Sequence, residues 1–460
     1  MSVSSPVIQR AAAQFHRRDV LRSLFWTASS ASVLSACGGS GSPLVVNDAA
    51  VVTPVSNPAP APMPAASPFA NVGPLQAADA NGLMLPKGFT SRVVAVSGTP
   101  PVVGKTYVWH TFPDGGATYV TKDGGWVYTS NSEVPGDRGG AGALKFAADG
   151  TLVDAYGILT GTTGNCAGGK TPWGTWMSCE ETTDGEVWEC DPFKAGQGTV
   201  IPILGKFNRE AVAVDPINKI IYMTEDAGSG RFYRFRPSAA DWPAGAVRPA
   251  LKEGVMEVLR YAELPTNTLP DAMFSVERQR QVVWETVMMP DQPQSTVRTA
   301  LGANAPGTPF RGGEGLWYYQ GLVYFSTKSD NRIWCYDHAA QSIECIYDFN
   351  TAKPENKILS GVDNLTLTET GDVLVAEDGG DMDICVILPN RNLVRLVKAS
   401  DQSGQSEIAG PAFSPDGKRL YFSAQRSGRN GAPGTGITFE VTLPFSVCAS
   451  GQCPPMAAAG

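Results

Sequence analysis

The stretch Thr171-Pro-Trp-Gly-Thr-Trp-Met-Ser-Cys-Glu-Glu181 decides how the rest of the chain is read. It opens with Gly and Trp residues that suit a pleated strand. It closes on a thiol beside two carboxylates, a group that is costly to bury unless a cation binds it. Cys179, Glu180 and Glu181 offer soft and hard anionic ligands together, the mixture that suits a transition metal next to a hard cation such as calcium. Taken alone, the same ending also fits a small buried cysteine followed by two solvated glutamates. The rest of the chain decides between them, because it repeats the arrangement of short strand, acidic end and turn.

From about Leu85 onward, short apolar-alternating runs are separated by Gly, Asp and Asn. Strand-like runs include Ala117 to Lys122, Gly125 to Ser130, Ile220 to Thr224, Leu322 to Ser326, Val373 to Ala376 and Arg419 to Ser423. Asp123-Gly124, Asp149-Gly150, Gly371-Asp372 and Asp416-Gly417 supply hairpin turns between them. Strands arriving at about four per 45 to 65 residues fit an all-β fold, a six-bladed β-propeller-like domain over residues 70–445. An array of β-sandwiches is the competing architecture. In a propeller the inner strands end at one mouth of a central channel, so acids far apart in sequence converge there.

Composition agrees. The 460 residues include 50 Gly and 35 Pro, charged residues are only 17%, and long helical periodicities are scarce. A net charge of -8 argues against a nucleic-acid partner, which requires a cationic surface. Of the histidines His16, His110 and His338, the first lies in the leader, which leaves too few for a histidine-rich zinc centre.

The leader occupies residues 1–36. Arg17-Arg18-Asp-Val-Leu-Arg22, an apolar run to Ala36 and then Leu34-Ser-Ala-Cys37-Gly38 read as a twin-arginine export signal closing on a lipobox, with lipid carried on Cys37. Cleavage nearby without lipid is the alternative. Residues 37–69, rich in Pro and Ala, read as a disordered tether, and 446–460 as a C-terminal tail. The expected location is the periplasm or cell envelope, with the protein anchored to a membrane through its lipid. Cys335/Cys345 and Cys448/Cys453 are spaced to bridge a hairpin and a terminal loop.

The acidic strand ends form one set: Asn131-Ser-Glu133, Cys179-Glu180-Glu181, Arg209-Glu210, Glu225-Asp226, Glu314, Asp330-Asn331, Asp363-Asn364, Glu377-Asp378 and Glu407. Unpaired carboxylates beside apolar strands repel one another, and metal cations relieve that repulsion.

These residues carry a resemblance. Phe112-Pro-Asp-Gly115, Asn165-Cys-Ala-Gly-Gly-Lys-Thr-Pro-Trp-Gly-Thr-Trp-Met-Ser-Cys-Glu-Glu181, Arg209-Glu-Ala-Val-Ala-Val-Asp-Pro216, Ile221-Tyr-Met-Thr-Glu-Asp226, Gly313-Glu-Gly-Leu-Trp317, Ser329-Asp-Asn-Arg332, Val362-Asp-Asn-Leu365, Ala376-Glu-Asp-Gly379 and Glu407-Ile-Ala-Gly-Pro-Ala-Phe-Ser-Pro-Asp-Gly417 resemble segments of the PhoX-type alkaline phosphatases, in order, over most of residues 85–445. The resemblance implies a six-bladed propeller, a twin-arginine leader and a centre of iron and calcium ions that hydrolyses phosphate monoesters. On that resemblance Cys179 is an iron ligand. Glu180, Glu210, Asp226, Glu314, Asp363, Glu377, Asp378 and Glu407 are ligands shared among iron and calcium.

One departure stands out. The family's phosphate-binding arginine falls two residues before the glutamate of Glu314-Gly-Leu-Trp317, where this chain has Gly312, so Arg311 is the candidate for the bidentate phosphate contact. The expected activity is a metal-dependent phosphomonoesterase acting on small phosphate esters as a monomer. A calcium-binding propeller lipoprotein that is non-catalytic, or that hydrolyses lactones or phosphotriesters, is the alternative. A purely structural surface lipoprotein comes third.

Overall fold

A computed structural model describes residues 66–270 and 278–448. The twin-arginine leader, Cys37, most of the tether and the tail beyond Cys448 lie outside the described residues.

The fold is all-β and propeller-like. Six inner strands stand around a central axis: Pro113–Val120, Asn165–Lys170, Arg209–Asp215, Gly313–Tyr319, Val362–Leu367 and Ile408–Phe413. Each lies against the next, and the sixth against the first, so the ring closes. Close approach demands small residues here. A Cβ on Gly115 would fall 2.5 Å from Ala167 Cα, and one on Gly169 only 1.9 Å from the Val212 carbonyl oxygen. The channel wall is accordingly made of Gly116, Ala117, Ala211, Ala213, Gly315 and Gly410 among others.

Antiparallel strands lead outward from each inner strand. The expectation of six separate blades is corrected, because the strands form five sheets. The first, second and sixth inner strands each belong to a four-stranded sheet and the fifth to a five-stranded one, while the third and fourth are the two edges of a single nine-stranded sheet. The reason is an edge left available for pairing. The outermost strand Arg280–Thr286 continues past its partner, and its Arg280 and Gln281 pair with Ile343 and Ser342 of the strand Ser342–Asp348. The N-terminal strand Thr90–Val96 pairs with the C-terminal strand Ile437–Thr442, tying the chain ends into one sheet.

Side chains alternate between the two faces of each sheet and fill the gaps between neighbours. Leu322, Tyr324, Ile333, Val375 and Ile387 pack one such layer, each apolar side chain contributing about 1.5–3 kcal/mol on burial. Alternation also corrects a cysteine expectation. Cys335 and Cys345 sit on adjacent strands but are offset by one residue, Cys335 opposite Glu344 and Cys345 opposite Trp334. They face different cores, and both thiols are free. Cys448 is disulfide-bonded.

Candidate metal centre

Every inner strand carries a β-bulge near its start: between Pro113 and Gly116, Asn165 and Gly168, Arg209 and Val212, Gly313 and Leu316, Val362 and Leu365, and Ala409 and Ala412. A bulge inserts an extra residue and re-aims side chains. Asp114, Cys166, Glu210, Glu314 and Asp363 occupy the equivalent position in five of the six bulges. A second tier comes from the residues directly after the second strand of each of the first five units. These are Glu133, Glu181, Asp226, Lys328 and Asp378, joined by Glu407 just before the sixth inner strand and by Arg426.

The two tiers meet. Ligand atoms of Glu133, Cys166 and Glu181 lie within 4.8 Å of one another, and so do those of three carboxylate groups: Asp114, Glu133 and Glu407; Glu210, Glu314 and Asp363; Asp363, Asp378 and Glu407. Nine carboxylates therefore share one mouth with two cations. Lys328 Nζ lies 2.9 Å from Glu314, 3.0 Å from Asp378, 3.7 Å from Asp363 and 3.8 Å from Asp226. Arg426 spans Glu407 at 3.1 Å and Glu133 at 3.0 Å, with its guanidinium over the Phe112 ring. Gln425 donates to Asp114 and Glu133, and Asn364 to Asp363 at 2.6 Å.

The electrostatic cost falls on the carboxyl pKa values. Burial, then Glu133 and Asp363, push the Asp114 carboxyl up to about 8. Burial, then Asp226 and Glu133, raise Glu181 to about 8. Burial lifts Asp363 to about 7 although Lys328 pulls the other way. Glu210, Glu314 and Glu407 stand well above the ordinary carboxylate range, again through burial and then neighbouring acids or, for Glu314, Asp363. Glu210 is the extreme case. It is fully buried, and neither carboxylate oxygen finds a hydrogen-bond partner among the described residues. A buried carboxylate in that position fits a cation ligand.

Of the ligands expected from the sequence, Glu210, Asp226, Glu314, Asp363, Asp378 and Glu407 converge here. Cys179, Glu180 and Glu377 do not. On the strand Trp176–Glu180, period two sends Met177 and Cys179 into the apolar layer with Val187, Leu204 and Phe207. Glu180 accepts hydrogen bonds from the Thr163 and Glu186 amides, and Glu377 from those of Ser360 and Asp383, so both hold loops. Arg311 is exposed and makes no ion pair among the described residues; its charge is felt at Asp330. Asp114, Cys166, Lys328 and Arg426 are outside the expected ligands, while Glu133 and Glu181 are expected among the acidic strand ends but are outside the set that the resemblance implies. The signal for two of them is in the sequence: Asp114 in Pro-Asp-Gly and Cys166 in Asn-Cys-Ala stand where Glu210 stands in Arg-Glu-Ala and Glu314 in Gly-Glu-Gly.

The sequence matches the alkaline phosphatase PhoX family over residues 126–196, 185–345 and 335–428. The chain belongs to the PhoX alkaline phosphatase family. Membership makes it a hydrolase of phosphoric monoesters by class. Among solved structures, Pseudomonas fluorescens PhoX in complex with vanadate, a transition state analogue, is similar at 16% identity, with 83% of this chain and 98% of that one covered and a TM-score of 0.63. A gluconolactonase from Xanthomonas campestris aligns at 14% identity over 81% of this chain and 98% of that one, with a TM-score of 0.41. Curated protein sequences give no match. At 16% identity the likeness to that PhoX structure speaks for the fold alone.

Proposed function

We propose that this PhoX-family chain is a metal-dependent phosphomonoesterase that releases phosphate from small organic esters outside the cytoplasm. The observation that carries this is Glu210, buried without a donor among acids that converge from six strands. The donor set also suggests which ions fit. Cys166 with Glu133 and Glu181 mixes a thiol with carboxylates and suits iron, whereas the carboxylate-only groups around Asp363, Glu407 and Glu210 suit calcium. Cations held there would neutralise a phosphate dianion and the charge growing on its attacking and leaving oxygens.

The chain's own residues do the remaining work. Arg426 fixes Glu407 and Glu133 in orientation, and Asn364 fixes Asp363 while accepting from the Gly410 amide at 2.7 Å. The wall below the mouth is largely Gly and Ala, with Lys170, Tyr318 and Asn364 as polar members, while the acids gather at the rim. Lys328 and Arg426, rather than Arg311, are the cations near enough to meet a phosphate.

Export by the twin-arginine route, a lipid on Cys37, a periplasmic or envelope location and a monomeric state complete the proposal, supported by the leader sequence. The test is phosphate release from an aryl phosphomonoester by the exported protein, before and after chelation. Turnover should vanish on chelation and return with calcium and iron. Turnover that survives chelation overturns the metal reading. A folded, metal-loaded protein that leaves phosphomonoesters intact points to the calcium-binding propeller with another ester substrate.

A further inference from the structure

The ring has two positions out of pattern, the fourth unit and the sixth, where Gln425 follows the strand Arg419–Ala424. After the second strand of the first, second, third and fifth units the chain places an acid, Glu133, Glu181, Asp226 or Asp378; after the second strand of the fourth unit, Leu322–Thr327, it places Lys328. The ammonium reaches into the same oxygens that would bind an ion, Glu314, Asp378, Asp363 and Asp226, all within 3.8 Å. A divalent cation on those oxygens and an ammonium within 4 Å of it repel strongly away from bulk water. The two cannot occupy the carboxylates together.

The two cations of the mouth differ in how they are held. Arg426 is clamped, its planar fork split between two acids and stacked on Phe112. Lys328 has a flexible stem, its side chain is 31% exposed against 35% for Arg426, and among the described residues its ammonium is paired with carboxylates. Its backbone is anchored, the Lys328 amide donating to the Gly312 carbonyl at 2.7 Å. Gly312 itself, at a φ of 67°, admits no side chain here, since a Cβ would fall 2.7 Å from Ser329 Oγ and 3.3 Å from Asp226 Oδ1. With its side chain 31% exposed, an ammonium driven off the carboxylates can turn toward solvent over the mouth.

We propose that Lys328 is a built-in competitor of the metal, displaced from Glu314, Asp363 and Asp378 when the ion binds and thereby freed to take the phosphate of the substrate. The inference rests on the metal-binding reading above. It makes metal and phosphate binding cooperative through one side chain.

The test is calorimetric titration of the chelated full-length protein with calcium, then of the calcium-loaded protein with inorganic phosphate, for wild type, Lys328→Met and Lys328→Arg. Lys328→Met should bind calcium at least about tenfold tighter and phosphate at least about tenfold weaker than wild type, while Lys328→Arg stays within about threefold of it for calcium. Calcium affinity unchanged or weakened in Lys328→Met overturns the competition. Tighter calcium with wild-type phosphate affinity overturns the release of Lys328 to the substrate. A wild-type protein that takes up no calcium fails the metal reading instead, which separates the two failures. Lys328→Gln, which keeps a donor without the charge, supplies the same comparison if the methionine variant does not fold.

Discussion

Glu180, Glu225 and Glu377 end three strands, and Glu181, Asp226 and Asp378 follow them directly. The first set turns to the loops and is satisfied there. Glu180 and Glu377 accept backbone amides, while Glu225 accepts from the Arg231 amide at 3.1 Å and Tyr233 at 2.8 Å and pairs with Arg298 at 2.6 Å. The second set turns to the axis, where its neighbours are chiefly other acids and Lys328. Adjacent carboxylates thus have opposite surroundings, one satisfied by loop donors and one placed where a cation would be needed to satisfy it. What separates them is the supply of donors, not residue type.

The contrast can be broken most strongly at the axis. Glu210→Gln and Glu181→Gln should each lower phosphomonoester turnover by roughly a hundredfold or more, the scale on which metal-site partners act. The chelated Glu181→Gln protein should melt no lower than chelated wild type, because a repelling charge has gone. A lower melting temperature would mean that Glu181 is a structural group like Glu180. On the loop side the effect should invert. Glu225→Gln breaks a buried ion pair with Arg298 and should cost about 3 kcal/mol by denaturant unfolding, while metal content per folded molecule is unchanged.

The axial acids also set a pH dependence. Asp114 and Glu181 are raised to about 8 and Asp363 to about 7, so the folded chelated protein holds protons that the unfolded chain, titrating near 4, has already lost. Stability of the chelated protein should therefore fall as pH rises from about 5 to 8. Metal binding should release protons over the same range and tighten as pH rises. Thermal melts with and without calcium check both, and a chelated protein that gains stability toward pH 8 would contradict the raised carboxyls.

Two smaller effects sharpen the comparison between the cysteines and between the cations. Cys179→Ala should cost about 1–2 kcal/mol of stability as a core truncation and retain iron, whereas Cys166→Ala should lose iron, measured by metal analysis. Arg311→Ala should change turnover by no more than about twofold, since exposed charges outside a network contribute little.

Much of this was legible in the chain itself. Hairpin turns such as Asp123-Gly124, short alternating strands and the acidic strand ends announce an all-β ring with acids gathered at its mouth. Period-two alternation is local, and turn glycines and strand-end acids act over a few residues, so sequence carries them directly. Six of the expected ligands do converge. The errors share one cause. Cys179 rather than Cys166, and Glu180 rather than Glu181, differ in which face of a strand or bulge they occupy, and a one-residue step reverses the face.

What the sequence by itself determined is therefore the class of fold, the family and the kind of chemistry, because these rest on residue types and short-range spacing. Tertiary structure alone decided that five bulges aim Asp114, Cys166, Glu210, Glu314 and Asp363 at one point, that two units merge through Arg280 and Ile343 into a nine-stranded sheet, and that Lys328 stands among the acids. Those outcomes depend on ring closure, which brings residues from strands as far apart as Pro113–Val120 and Ile408–Phe413 into contact, and no local pattern encodes that distance.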